Sequence, residues 1–172
     1  CFEDNDIIHV SGRIDPLSDI EIINIELALA DLETVEKRRE RTEKQLKTVS
    51  KDGGKEAKIM LELLERLKEG LGQGKPARAL GFTDEQKLLL RELQLITMKK
   101  HLYVCNVDED SLKNGNKYIE AVQKIAESEE SVAVPICGKL EAEISSLETE
   151  EERKEFLKEA GLEQSGLVKL IH

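Results

Sequence analysis

The chain has 172 residues, of which 39% are hydrophobic and 36% charged, with a formal net charge of −10. That length holds one domain, or one core with an appendage, and a charged share well above the globular norm of about 25% marks a long solvated helix rather than a larger core. Aromatic residues make up only 3%, Trp is absent and the balance is acidic, which argues against base-stacking platforms for single strands, a general phosphate-binding surface and a DNA partner.

Taken from the start, the chain opens on Cys1-Phe2, like the tail of a strand already under way, and a segment of a longer protein is expected. Residues 2–15 are acidic and then mixed. Glu3, Asp4 and Asp6 hint at calcium, but the glycine and distal glutamate of an EF-hand loop are missing, so a solvated loop is expected. Asp15-Pro16 reads as an N-cap with proline at the first helical position, and a helix is predicted from there to about Ser50. Its first half is apolar on more than one face (Ile20, Ile22, Ile23, Ile25, Leu27, Leu29), as in a helix buried against a sheet. Its second half has a seam at three-four spacing: Ile25, Ala28, Leu32, Val35, Arg39, Thr42, Leu46 and Val49. The charge run 36–44 between them reads as a solvated face.

Asp52-Gly53-Gly54 breaks this helix, and Ala57, Met60, Leu64, Leu67 and Leu71 repeat the spacing in a second one. Two such seams joined by a glycine-rich turn predict an antiparallel coiled-coil hairpin. GLGQGKPAR at 70–78 mimics a phosphate loop but fails its requirements. The glycine-to-lysine spacing is one residue short, Pro76 stands where Ser or Thr would hold magnesium, and a helix precedes it. It is read as a helix stop and linker. Thr83-Asp84-Glu85-Gln86 is a capping box that opens a helix expected to run through Leu95.

Leu102 to Cys105 form a short apolar run suited to a buried parallel strand. A polar cluster, Asn106-Val107-Asp108-Glu109, stops it at the end where open α/β sheets bind ligands. Asn106 offers a donor and an acceptor, and Glu109 offers acceptors, which suits a purine edge. An Asx-turn leading into a helix cap accounts for the same residues. After the Asn114-Gly115 turn, a helix with Ile119, Val122 and Ile125 leads to a second apolar run, 132–136, ending in Cys137-Gly138-Lys139. Pro135 places that strand toward a sheet edge. Short acidic helices follow around 140–147, after Thr149, and at 167–172. Strand, helix, strand with long connections is the βαβ pattern of a parallel sheet. No apolar run of about 18 residues suits a membrane span, and no signal-peptide pattern is present, so a cytoplasmic protein is expected. Cys1, Cys105 and Cys137 lack CxxC spacing and His9, His101 and His172 share no ligand spacing, so no disulfide framework or metal site is indicated.

An NxxE cluster and a Cys-Gly-Lys loop one βα unit apart resemble the base-recognition motifs NKxD and SAK of P-loop GTPases. With NxxE and a helical hairpin before it, the chain resembles the Obg-like ATPases of the YchF family. CFEDNDIIHV, GRIDPLSDIEIIN, ELALADLETVEKR, KEAK, YVCNVDED and EFLKEAGLEQSGL all read as that family does, over essentially the whole chain. The resemblance implies an α/β fold, the C-terminal half of a Ras-like parallel-sheet nucleotide-binding domain, with an inserted antiparallel coiled-coil hairpin. Residues 1–24 and 81–172 would belong to the nucleotide-binding domain and 25–80 to the insertion. It further implies ATP or GTP as ligand, Mg2+ in the full-length protein, and association with the ribosome or its large subunit. The P-loop, switch regions, DxxG motif and C-terminal TGS domain of the family have no match here.

Carried over by position, Asn106 and Glu109 match NxxE, and the backbone of Val107 lines the base while its side chain stands where the lysine of NKxD covers it. Cys137, Gly138 and Lys139 match the SAK position, with glycine in place of the usual alanine. Adenine is expected to be favoured over guanine, because Glu109 is one methylene longer than the aspartate that binds guanine. A rival reading is a protein- or RNA-docking module acting through the hairpin alone. Phosphoryl transfer needs a phosphate cradle, a lysine and magnesium ligands, and no GxxxxGK[ST] occurs in these residues. The purified 172-residue chain is therefore expected to hydrolyse neither ATP nor GTP, and magnesium-dependent phosphate release above a heat-killed control would refute this.

Overall fold

The computed structural model describes residues 1–2, 14–48 and 54–171. The acidic segment considered for calcium, and Val49 of the expected seam, lie outside them. Internal contacts divide the chain into two units, 19–100 and 1–18 with 101–172, where the sequence pattern suggests breaks at 24/25 and 80/81.

Helix α1 spans Pro16–Thr48 and α2 spans Lys55–Gly72. The Ser18 amide donates to Asp15 Oδ1 at 3.2 Å, which caps α1 with proline at its first position. The two helices pair head to tail. Lys68 reaches Glu36 at 3.3 Å, Arg39 reaches Glu65 at 3.1 Å, and Leu46 lies against Gly54, so partners fall in α2 as they rise in α1. Ala28, Val35, Met60, Leu63, Leu64, Leu67 and Leu71 fill one buried cluster. Thr42, only 1% exposed, satisfies its hydroxyl on the Arg38 carbonyl at 2.9 Å.

The isoleucines at the start of α1 are not buried: Ile22, Ile23, Ile25 and Leu29 are all more than half exposed. A single stripe of α1, at 28, 31, 35 and 42, is buried, and these side chains point off it. Nor is 70–78 a linker. Ala77 is fully buried, and a Cβ on Gly70 would lie 2.4 Å from Leu80 Cδ2. A side chain at 70 would have to displace that of Leu80, so glycine suits this close approach.

A third layer, 77–98, completes this unit. The capping box of Thr83 and Gln86 opens α3, Asp84–Leu90, which ends earlier than the pattern suggests and gives way to 3-10 turns at Arg91–Leu93 and Ile96–Met98. Asp31 holds the far end of this layer. Its carboxylate is 2% exposed and accepts from the Ile96 amide at 2.8 Å, the Thr97 amide at 2.7 Å and the Thr97 hydroxyl at 2.7 Å. Before that point Gln94, in the left-handed region at φ 50°, has already turned the chain out of the helical path. Thr97 Oγ1 in turn accepts from the Ala77 amide at 3.0 Å. Phe82, Leu90 and Leu95 then join the cluster of α1 and α2.

In the other unit, β1 (Tyr103–Asn106) and β2 (Ala133–Ile136) form a two-stranded parallel sheet, with Tyr103 opposite Ala133 and Asn106 opposite Ile136. Helices α4 (Glu109–Asn114) and α5 (Lys117–Ser128) make the crossover. Asn116 caps α5 by accepting from the Tyr118 and Ile119 amides, and Ile119, Val122 and Ala126 are its buried face. Helices α6 (Gly138–Ser146), α7 (Glu150–Glu159) and α8 (Gly166–Ile171) follow, α7 with the Thr149/Glu152 capping box. Among the described residues no helix is long and apolar enough to cross a membrane.

Asp31→Ala strands three donors and is expected to cost about 3 kcal/mol, from the usual penalty for unsatisfied buried groups. That is comparable with the about 2–5 kcal/mol of Leu64→Ala at a fully buried site. Urea unfolding of both variants measures this, and a loss below about 1 kcal/mol for Asp31→Ala would contradict the role given to the carboxylate.

Candidate functional site

Parallel strands end on one side, so the residues after β1 and β2 share an edge. Along β1 the pleat alternates: Cys105 is buried, Asn106 exposed and Val107 buried. The Val107 amide donates to the Ile136 carbonyl at 2.9 Å, extending the ladder, and its side chain is 2% exposed. The side chain of Val107 therefore points into the core and does not stand over the edge. Strand alternation carried one residue further signals this. A lysine at 107 would be buried and would test folding before it tested base preference.

Asp108 caps α4, accepting from the Ser111 amide at 2.7 Å. The hydroxyl and amide of Ser111 hold its carboxyl below the usual carboxylate range. The capping role open to this cluster thus falls to Asp108, at the spacing of an N-cap and its N3 residue. It leaves Asn106 and Glu109 on either side of the cap. Glu109 is the first residue of α4. Across the edge, Cys137 precedes α6 and is buried, and the Gly138 amide lies 3.4 Å from Asn106 Oδ1. Lys139 Nζ donates to Glu109 Oε1 at 2.9 Å. That hydrogen bond, the charge of Glu109 and then that of Glu143 push the Lys139 pKa up.

Asn106, Glu109, Gly138 and Lys139 are thus brought together, while Val107 and Cys137 turn their side chains inward. Cys105 is buried behind the edge, and burial pushes its thiol up, as suits an inert side chain. The arrangement presents an amide, a carboxylate and an ammonium within one short arc, a mixed donor–acceptor surface for a planar heterocycle. The pairing of Lys139 with Glu109 joins residues thirty apart and has no signal in the sequence pattern. Among the described residues no group of three or more His, Cys, Asp and Glu side chains could hold a metal ion.

The charge run 36–44 is largely paired. Arg38 bonds Glu92 at 2.7 Å, and Arg39 bonds Glu43 at 2.7 Å and Glu65 at 3.1 Å. Thr34, Lys37, Arg38 and Arg41 line a cleft of about 320 Å³ together with Glu92 and Leu93.

Together these features describe a mostly helical α/β protein with a parallel β-α-β unit, a polar edge at its strand ends, and a second unit made of helices. Over its whole length the chain is homologous to the YchF proteins. It is 45% identical over 173 residues to the ribosome-binding ATPase YchF of Bacillus subtilis (strain 168), covering 99% of this chain and 46% of that protein. The YchF of Escherichia coli O157:H7 is likewise 45% identical over 171 residues, covering 99% and 46%. The solved structure of the Schizosaccharomyces pombe YchF GTPase superposes with a TM-score of 0.81 at 31% identity, covering 99% of this chain and 46% of that one. The chain thus spans about half the length of the relatives it matches. No family model matches.

Gly138 takes the place where alanine is usual in the resembling motif. An added Cβ there would lie 3.6 Å from Asn106 Oδ1, an ordinary contact. Gly138→Ala is therefore expected to fit and to stabilise by up to about 1 kcal/mol through the unfolded chain. Denaturant unfolding showing a loss would mean that the edge needs glycine.

Proposed function

We propose that this chain contributes the base-recognition edge and a helical docking domain to a ribosome-associated, cytoplasmic nucleoside triphosphatase of the YchF type, with adenine favoured over guanine. In this reading, residues 1–24 and 81–172 are the C-terminal half of a Ras-like domain, and 25–80 are a coiled-coil hairpin inserted into it. The observation that carries it is the convergence of Asn106, Glu109 and Lys139, at the two positions where NKxD and SAK meet a base. Asn106 has an amide that can accept from the N6 amino group of adenine and donate to N7. Glu109 offers a carboxylate near the Watson–Crick side, and the stem of Lys139 lies alongside. The triphosphate and Mg2+ are held by residues outside this chain, and base contacts alone leave affinity weak.

Guanine presents N1–H and N2–H₂ side by side to a bidentate acceptor. The added methylene of Glu109 carries its carboxylate out of the position an aspartate takes, so this class of contact is impaired. In the full-length protein, Asn106→Ala is expected to weaken ATP binding by about 1–3 kcal/mol, the worth of one good bidentate base contact. Glu109→Asp is expected to raise GTP affinity relative to ATP. Calorimetry showing wild-type protein binding GTP tenfold tighter than ATP would overturn the reading.

The cleft lined by Lys37, Arg38 and Arg41 favours a second role, docking of the helical unit on protein or RNA. Arg38 and Arg39 are tied into ion pairs whose reversal would disturb the unit itself, whereas Arg41 is exposed. Arg41→Glu is the informative change, read by ribosome pelleting beside nucleotide binding.

A further inference from the structure

The parallel register sets Asn106 opposite Ile136, which brings the first turns of α4 and α6 to the same edge. From these turns Glu109 and Lys139 reach across to each other, Nζ to Oε1 at 2.9 Å, with side chains 46% and 71% exposed. A pair so exposed does nothing for the core. It lies at the carboxylate on which the choice between purines turns.

We propose that Lys139 is a specificity-determining residue, holding Glu109 in an ion pair that disables its carboxylate as a guanine acceptor. This rests on the base edge assigned above and adds the residue that tunes it. Guanine offers N1–H and N2–H₂ as adjacent donors and needs both carboxylate oxygens free. With Oε1 engaged by an ammonium, only one oxygen remains, and its basicity is reduced by the positive charge. Adenine has a lone pair at N1, which a free carboxylate would repel. Lys139 removes that repulsion by neutralising the charge. Both effects favour adenine, and neither follows from the length of the Glu109 side chain. A lysine serving only the phosphates or ribose would act equally on ATP and GTP, which carry the same sugar and triphosphate.

The test uses the full-length protein, with calorimetric dissociation constants for ATP, GTP and inosine triphosphate. Lys139→Met keeps the aliphatic stem and removes the charge. It is expected to raise the affinity for GTP relative to ATP roughly two- to fivefold, the range open to an exposed ion pair. Inosine triphosphate, which lacks the N2 amine, should gain less than GTP. Lys139→Arg should keep the wild-type ratio. In a Glu109→Ala background, Lys139→Met should leave the ratio unmoved, as a double-mutant cycle requires if the two act as a pair. An unchanged ratio in Lys139→Met, or equal weakening of ATP and GTP, overturns the proposal; if Asn106→Ala still weakens ATP, the base-edge reading survives it. If Asn106→Ala costs nothing, the base edge itself is wrong and the role of Lys139 falls with it.

Discussion

Parallel pairing of β1 with β2 is the constraint from which the candidate site follows. Antiparallel partners can be joined by a two-residue turn, but parallel ones require a crossover, and both then end on the same side. Here the ladder is only four residues long, closed by the Val107 amide on the Ile136 carbonyl at 2.9 Å. That bond fixes where β1 stops and its loop departs. One residue earlier the side chain is exposed, and two residues later α4 begins. Asp108, which caps the helix, therefore aims Glu109 at the edge without contributing its own carboxylate. Shifting the register by one residue would bury Asn106 and expose Val107.

The helical unit rests on a different device. Its helices could pair through their apolar seams alone, but the 77–98 layer is built of one short α-helix and 3-10 turns. Asp31 anchors these short pieces, supplying acceptors to the Ile96 and Thr97 amides and, through Thr97, a partner for Ala77. A buried carboxylate with three donors is charge-assisted and directional. It fixes the 3-10 turn at Ile96–Met98 to α1. Gly70 has a complementary part, letting Leu80 sit against α2.

The homology gives these pieces a context. The relatives are about twice as long as this chain. The exposed amide, carboxylate and ammonium at the strand-end edge can be altered with little effect on the core.

What the sequence determined by itself is local. Capping boxes at Thr83 and Thr149, the proline start of α1, three-four apolar spacing and the β-α-β order depend on residues within a few positions of each other, and all are legible in the chain. The NxxE and Cys-Gly-Lys clusters are legible for the same reason, each being contiguous. Tertiary structure decided whatever depends on distant partners. The apolar first half of α1 looks like a buried helix, yet only one stripe finds a partner, so its isoleucines are exposed. The leucine run of α3 promises a longer helix, yet Gln94 turns the chain at φ 50°, and Asp31, some sixty-five residues away, holds the Ile96 and Thr97 amides beyond it. Val107 reads as part of the edge until the ladder turns it inward. Lys139 and Glu109 meet only because two strands run parallel, and no local pattern encodes a distance across a sheet.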